Sequence, residues 1–66
     1  MMIMLNGKEE TFGGPMTISG LLEAKGLAPR GVVVEVNQTI IDRKDFPDIR
    51  LKDRDCVEIL RFVGGG

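Results

Sequence analysis

From Met2 to Asn6 the chain alternates, placing Ile3 and Leu5 on one face of an extended segment and Met2 and Met4 on the other. Asn6-Gly7 then offers two residues suited to positive φ, so a type I′ hairpin is predicted, with Lys8 to Phe12 as its return strand. Gly13-Gly14-Pro15 breaks regular structure, after which the period becomes that of a helix. Thr17 can cap it by accepting from a free N–H, and Ile18, Leu21 and Leu22 form one apolar face. Gly26 is expected to end the helix in the left-handed conformation, folding Leu27 back on Leu22. Gly20 lowers the helix's own preference by roughly 1 kcal/mol relative to Ala, so packing must hold this segment.

In the second half, Val32 to Val36 is β-branched and reads as a strand, which Asn37-Gln38 turns into Thr39 to Asp42. Phe46-Pro47 falls in an irregular stretch where the ring plugs one end of the core. Ile49 to Leu51 reads as a brief edge strand or a turn of 3₁₀ helix. Asp53-Arg54-Asp55 makes the last turn before Cys56 to Val63, the strongest strand signal of this half. Two hairpins around a helix, plus a long final strand, predict an α+β domain in which a mixed sheet packs one face on one helix. The other face then has no second layer. Along the final strand Val57, Ile59, Arg61 and Val63 share one side, and Cys56, Glu58, Leu60 and Phe62 the other. The helix should take Val57 and Ile59, because the alternative buries Glu58. Leu60 and Phe62, with Met4 from the first strand, are then expected to form an uncovered apolar patch beside the terminal glycines. Such residues either plug a core end or mark an interface.

The length of 66 residues, 42% of them hydrophobic, allows one domain, taken as residues 1–63 with 64–66 as a flexible tail. Ordering it costs on the order of 100 kcal/mol at roughly 1.5 kcal/mol per residue, so an apolar side chain left in water needs a reason. With no His and one Cys, the chain excludes an internal disulfide, a Cys/His zinc site and any His-dependent triad. Nine Lys/Arg against ten Asp/Glu, with three aromatics, argue against a nucleic-acid surface. The opening Met-Met-Ile-Met-Leu run lacks a basic flank and is too short for a signal peptide or membrane span, so the cytoplasm is the expected compartment. Cys56, with no histidine to deprotonate it, is expected to be a small half-buried hydrophobe rather than a nucleophile. Asp42, Asp45, Asp48, Asp53 and Asp55 lack the spacing of a calcium loop and read as turn formers. Ser19, the only serine, has no base near it in sequence and fits the first turn of the helix.

That leaves the carboxyl of Gly66 as the group on which chemistry could occur. A run of three glycines can be a disordered tail or a cloning remnant. Here the run directly follows a strong strand. Three residues without Cβ atoms reach about 10 Å at roughly 3.3–3.6 Å each, thin enough to thread a narrow channel in another protein. An ionised carboxylate is a poor electrophile and must be activated. An acyl-adenylate made with ATP supplies the leaving group, and an unhindered glycine carbonyl can then accept a sulfur or amine nucleophile.

The chain resembles the ThiS family, sulfur carriers of thiamine biosynthesis within the ubiquitin-like β-grasp superfamily. The likeness rests on the Ile3-to-Gly7 opening, Thr17-Ile18 before Leu21-Leu22, Val34-Glu35-Val36-Asn37, Ile40-Ile41-Asp42-Arg43, Phe46, Asp53-Arg54-Asp55, and Val57-Glu58-Ile59 leading to Phe62-Val63-Gly64-Gly65-Gly66. The family often has Asp-Gly-Asp where this chain has Arg54, and a proline where it has Asp42. The resemblance implies a β-grasp fold whose first and last strands pair in parallel at the sheet centre. It also implies a carrier rather than an enzyme, with no cofactor of its own. A ThiF-type adenylyltransferase using ATP and Mg²⁺ would adenylate Gly66, presented on Gly64 and Gly65. Sulfur originating from cysteine, through a cysteine desulfurase, would convert it to a thiocarboxylate for a ThiG-type thiazole synthase. Met4, Leu60 and Phe62 would meet these partners. The alternatives are a carrier like the small subunit of molybdopterin synthase, a protein-conjugating modifier, and a β-grasp interaction module whose tail does nothing.

Overall fold

The computed structural model describes residues 1–62. Asn6 and Gly7 take φ of 49° and 83°, the pair of left-handed residues that a tight hairpin requires. Strands β1 (Met2–Leu5) and β2 (Lys8–Thr11) accordingly pair antiparallel, Leu5 opposite Lys8 and Met4 opposite Glu9. The same device recurs at Asn37 and Gln38, with φ of 50° and 72°, between β3 (Val32–Val36) and β4 (Thr39–Ile41). Strand β4 stops one residue short of the expected Asp42 because that residue leads into a 3₁₀ turn, Arg43–Asp45.

Helix α1 (Ile18–Ala24) begins at Thr17, whose Oγ1 accepts from the Gly20 N–H at 3.1 Å. It ends in a Schellman arrangement: Gly26, at φ 70°, donates its N–H to the Glu23 carbonyl, and Leu27 donates to the Leu22 carbonyl. A Cβ built on Gly20 would meet Met16 Cβ and Thr17 Oγ1 at 3.5 Å, ordinary contact, so packing does not require glycine there. Ile49 to Leu51 is neither an edge strand of the main sheet nor a 3₁₀ turn. Arg50 forms a single antiparallel bridge with Thr17, in which Ile18 N–H donates to the Ile49 carbonyl and Leu51 N–H to the Met16 carbonyl. This bridge ties the lead-in of α1 to the far half of the chain.

The last strand, β5 (Cys56–Arg61), lies at the centre of a sheet ordered β2-β1-β5-β3-β4, parallel to β1 and antiparallel to β3. A parallel pair needs a crossover, and α1 covers one face of the sheet. Ile3, Leu5, Val34, Val57 and Ile59 point into the layer between sheet and helix, where they meet Ile18, Leu21 and Leu22. Phe46 is fully buried in the same cluster, as the irregular stretch around it led one to expect. Among the described residues no helix is long and apolar enough to cross a membrane.

Candidate docking face at the end of the last strand

Asn6 closes the β1/β5 ladder. Its N–H donates to the Val57 carbonyl at 2.9 Å. Its side chain then replaces a strand residue that β1 no longer supplies: Oδ1 accepts from the Ile59 N–H at 2.8 Å, and Nδ2 donates to the Ile59 carbonyl at 3.3 Å. The β1/β5 ladder itself ends with Leu5 opposite Val57. On the β3 side the ladder runs on, Arg61 opposite Val32 and Phe62 N–H donating to the Gly31 carbonyl at 2.9 Å. Past Ile59 the strand is thus held by β3 on one side, while no β1 residue is in register with it on the other. Sequence reasoning had read Asn6 only as a turn former.

The facing assignment holds: Val57 and Ile59 are buried, whereas Leu60 and Phe62 are 61% and 65% exposed. Register identifies their neighbours on the open face. Val33 stands opposite Leu60, Glu58 opposite Glu35, Glu35 in turn opposite Ile40, and Met4 opposite Cys56. Ile40 is 66% exposed. Met4, half-buried, is not contiguous with Leu60 and Phe62 as expected. It is level with Cys56, four residues back along β5, which is about 13 Å at roughly 3.3 Å per residue, and Glu58 intervenes. The apolar surface at the end of β5 is therefore Leu60, Phe62 and Val33. Val33 escaped sequence reasoning because an unbroken Val32-Val33-Val34 run carries no alternation.

Cys56 is exposed rather than half-buried, since its side of β5 has no covering layer. Its N–H donates to Asn37 Oδ1 at 2.9 Å. Of the aspartates, Asp55 acts as a turn former, accepting from the Lys52 N–H three residues back and also from Asn37 Nδ2, whereas Asp53 Oδ1 accepts from the distant Met2 N–H and ties the last turn to the start of β1. Ser19 lies in the first turn of α1, its N–H donating to the Phe46 carbonyl. On the helix side, at the same end of the sheet, an open groove of about 420 Å³ has Leu5, Leu27 and Ile59 among its lining residues, with Lys8 and Arg61 and the Lys25–Glu10 ion pair beside them. The expected tail residues Gly64, Gly65 and Gly66 lie outside the described residues, as does Val63.

Compared with known families, residues 3–66 match the model of the ThiS family. The chain belongs to the ThiS family. The sulfur carrier protein ThiS of Bacillus subtilis is 41% identical over 66 residues, with 98% of this chain and 100% of that protein covered. The crystal structure of a thiamine biosynthesis protein, ThiS, from Geobacter metallireducens is similar at a TM-score of 0.85 and 38% identity, with 100% of both chains covered. A thiazole synthase of Paramagnetospirillum magneticum is 36% identical over 66 residues, which are 100% of this chain and 20% of that protein. The chain thus spans a fifth of the length of such thiazole synthases. The ThiS scaffold is a ubiquitin-like β-grasp, and the parallel β1/β5 pairing at its centre is what carries the last strand past the Asn6 turn.

Proposed function

We propose that this ThiS-family chain is a sulfur carrier of thiamine biosynthesis, acted on by other enzymes and working in the cytoplasm. The observation that carries the reading is the family match across residues 3–66, which includes the three glycines. In the proposed cycle a Gly66 carboxylate oxygen attacks the α-phosphorus of ATP and displaces pyrophosphate. Sulfur from the desulfurase arrives as a persulfide, whose terminal sulfur attacks the acyl carbon and displaces AMP; a thiol reductant then cleaves the S–S bond of the resulting acyl disulfide, leaving a thiocarboxylate that passes sulfur to a thiazole synthase. ATP and Mg²⁺ belong to the ThiF-type adenylyltransferase, and a cysteine desulfurase feeds the sulfur. Within the described residues this chain supplies recognition: the exposed Leu60 and Phe62 stand on the uncovered face and lead into the tail, and Met4 marks the opposite end of that face. A thiazole synthase as recipient is favoured by the thiazole synthases that contain a segment similar to this chain.

Reconstitution tests this reading. The purified chain with the adenylyltransferase, ATP, Mg²⁺, cysteine, a desulfurase, a thiol reductant and a thiazole synthase supplied with the carbon and nitrogen substrates of the ring should support thiazole formation. Deleting Gly65-Gly66 should abolish it while the melting curve is unchanged, because a glycine has no side chain to bury. Alanine at Leu60 or Phe62 should weaken partner binding by about 1–2 kcal/mol. Thiazole formation by the truncated chain would reject Gly66 as the site, and sulfur delivered to molybdopterin synthase alone would reassign the recipient.

A further inference from the structure

The open face of the sheet carries charge of one sign. Its strand positions are Met2 and Met4 on β1, Glu9 and Thr11 on β2, Val33 and Glu35 on β3, Ile40 on β4, and Cys56, Glu58 and Leu60 on β5. Three are glutamates and none is Lys or Arg. Of the bases near this end of the sheet, Lys8, Lys25 and Arg61 line the helix-side groove, and Arg30 lies in the turn that leads into β3, off the strands. Two of the acids are juxtaposed: Glu35 and Glu58 face each other directly across adjacent strands, a like-charge pairing that opposes folding. Their row separates the apolar end, Leu60 with Val33, from Met4 and Cys56, and Ile40 continues it on β4.

We propose that this face selects a thiazole synthase whose contact surface is an apolar patch bordered by Arg or Lys. Leu60, Phe62 and Val33 meet the patch, and Glu35 and Glu58 meet the basic border. The proposal rests on the docking role given to this face above and specifies the chemistry of what docks there. Charges of one sign around an apolar contact act mainly on encounter, raising the association rate in a salt-dependent manner, whereas the apolar side chains act mainly on dissociation. A base-bordered partner also relieves the Glu35/Glu58 repulsion, which the free protein bears alone.

The test measures association and dissociation rates between this protein and the thiazole synthase at several ionic strengths. For Glu35→Gln/Glu58→Gln the association rate should fall about three- to tenfold at low salt, with a flatter salt dependence and little change in dissociation. This variant should melt at or above the unaltered protein, which separates charge from folding. Glu35→Lys/Glu58→Lys should associate more slowly still, and Leu60→Ala should dissociate faster with the salt dependence unchanged. Unaltered or faster association of the Gln variant, with Leu60→Ala still defective, would overturn the charge assignment and leave the docking face standing. If Leu60→Ala were silent as well, the docking face itself would be overturned.

Discussion

Replacing Asn6 probes the joint between the hairpin and the last strand. Asn6→Gly keeps a backbone suited to φ 49° and removes the two side-chain hydrogen bonds to Ile59. At roughly 0.5–1.5 kcal/mol each, their loss costs about 1–3 kcal/mol. Asn6→Ala removes the same bonds and adds about 1 kcal/mol for holding a Cβ-bearing residue in the left-handed region, roughly 2–4 kcal/mol in all. A domain of this size has a total stability on the order of 3–10 kcal/mol, so either change is a large fraction of it. Urea unfolding gives the two differences, and their separation isolates the backbone contribution. Hydrogen exchange localises the effect, because the Ile59 amide bonds to the Asn6 side chain and should lose protection before the Phe62 amide, which β3 holds through Gly31. An Asn6→Gly protein with an unchanged urea midpoint and a still-protected Ile59 amide would refute the claim that this side chain holds β5 at Ile59, where β1 no longer supplies a partner.

Other substitutions address separate links. Gly20→Ala should stabilise the fold by about 0.5–1 kcal/mol, since its Cβ meets neighbours at 3.5 Å; a lower melting temperature would show that helix packing is tighter than these contacts. Cys56→Ser should still be loaded with sulfur, with stability changed by at most about 0.5 kcal/mol because the thiol is exposed; loss of loading in a folded variant would move part of the chemistry to the thiol. Gly65→Val should block sulfur transfer in the reconstituted assay, because a β-branched residue widens the arm and disfavours positive φ; transfer at the normal rate would remove the narrow-channel argument.

The features legible in the sequence were those set by neighbours a few residues apart. Asn6-Gly7 and Asn37-Gln38 announce their hairpins, Thr17 and Gly26 bracket the helix, and the position of Glu58 decides which face of β5 is buried. Features set by long-range register were not legible. Alternation puts Met4 on the open face but does not say that it is level with Cys56 rather than Leu60. Val33 and Ile40 lie within apolar runs where a period of two leaves no mark. The bond from Asn6 to Ile59 spans 53 positions, and the bridge between Thr17 and Arg50 joins segments that only the folded chain brings together. Cys56 was expected to be half-buried from its residue type, yet exposure there follows from the missing second layer.

The central claim is that sulfur is carried on the Gly66 carboxyl, and the mass of the intact chain tests it most directly. After incubation with ATP, Mg²⁺, the adenylyltransferase, a sulfur source and a thiol reductant, the chain should gain the difference between one sulfur and one oxygen, and fragmentation should localise the change to Gly66. A chain of unchanged mass under conditions that load an established ThiS protein, or a sulfur found on Cys56 instead, would contradict the account.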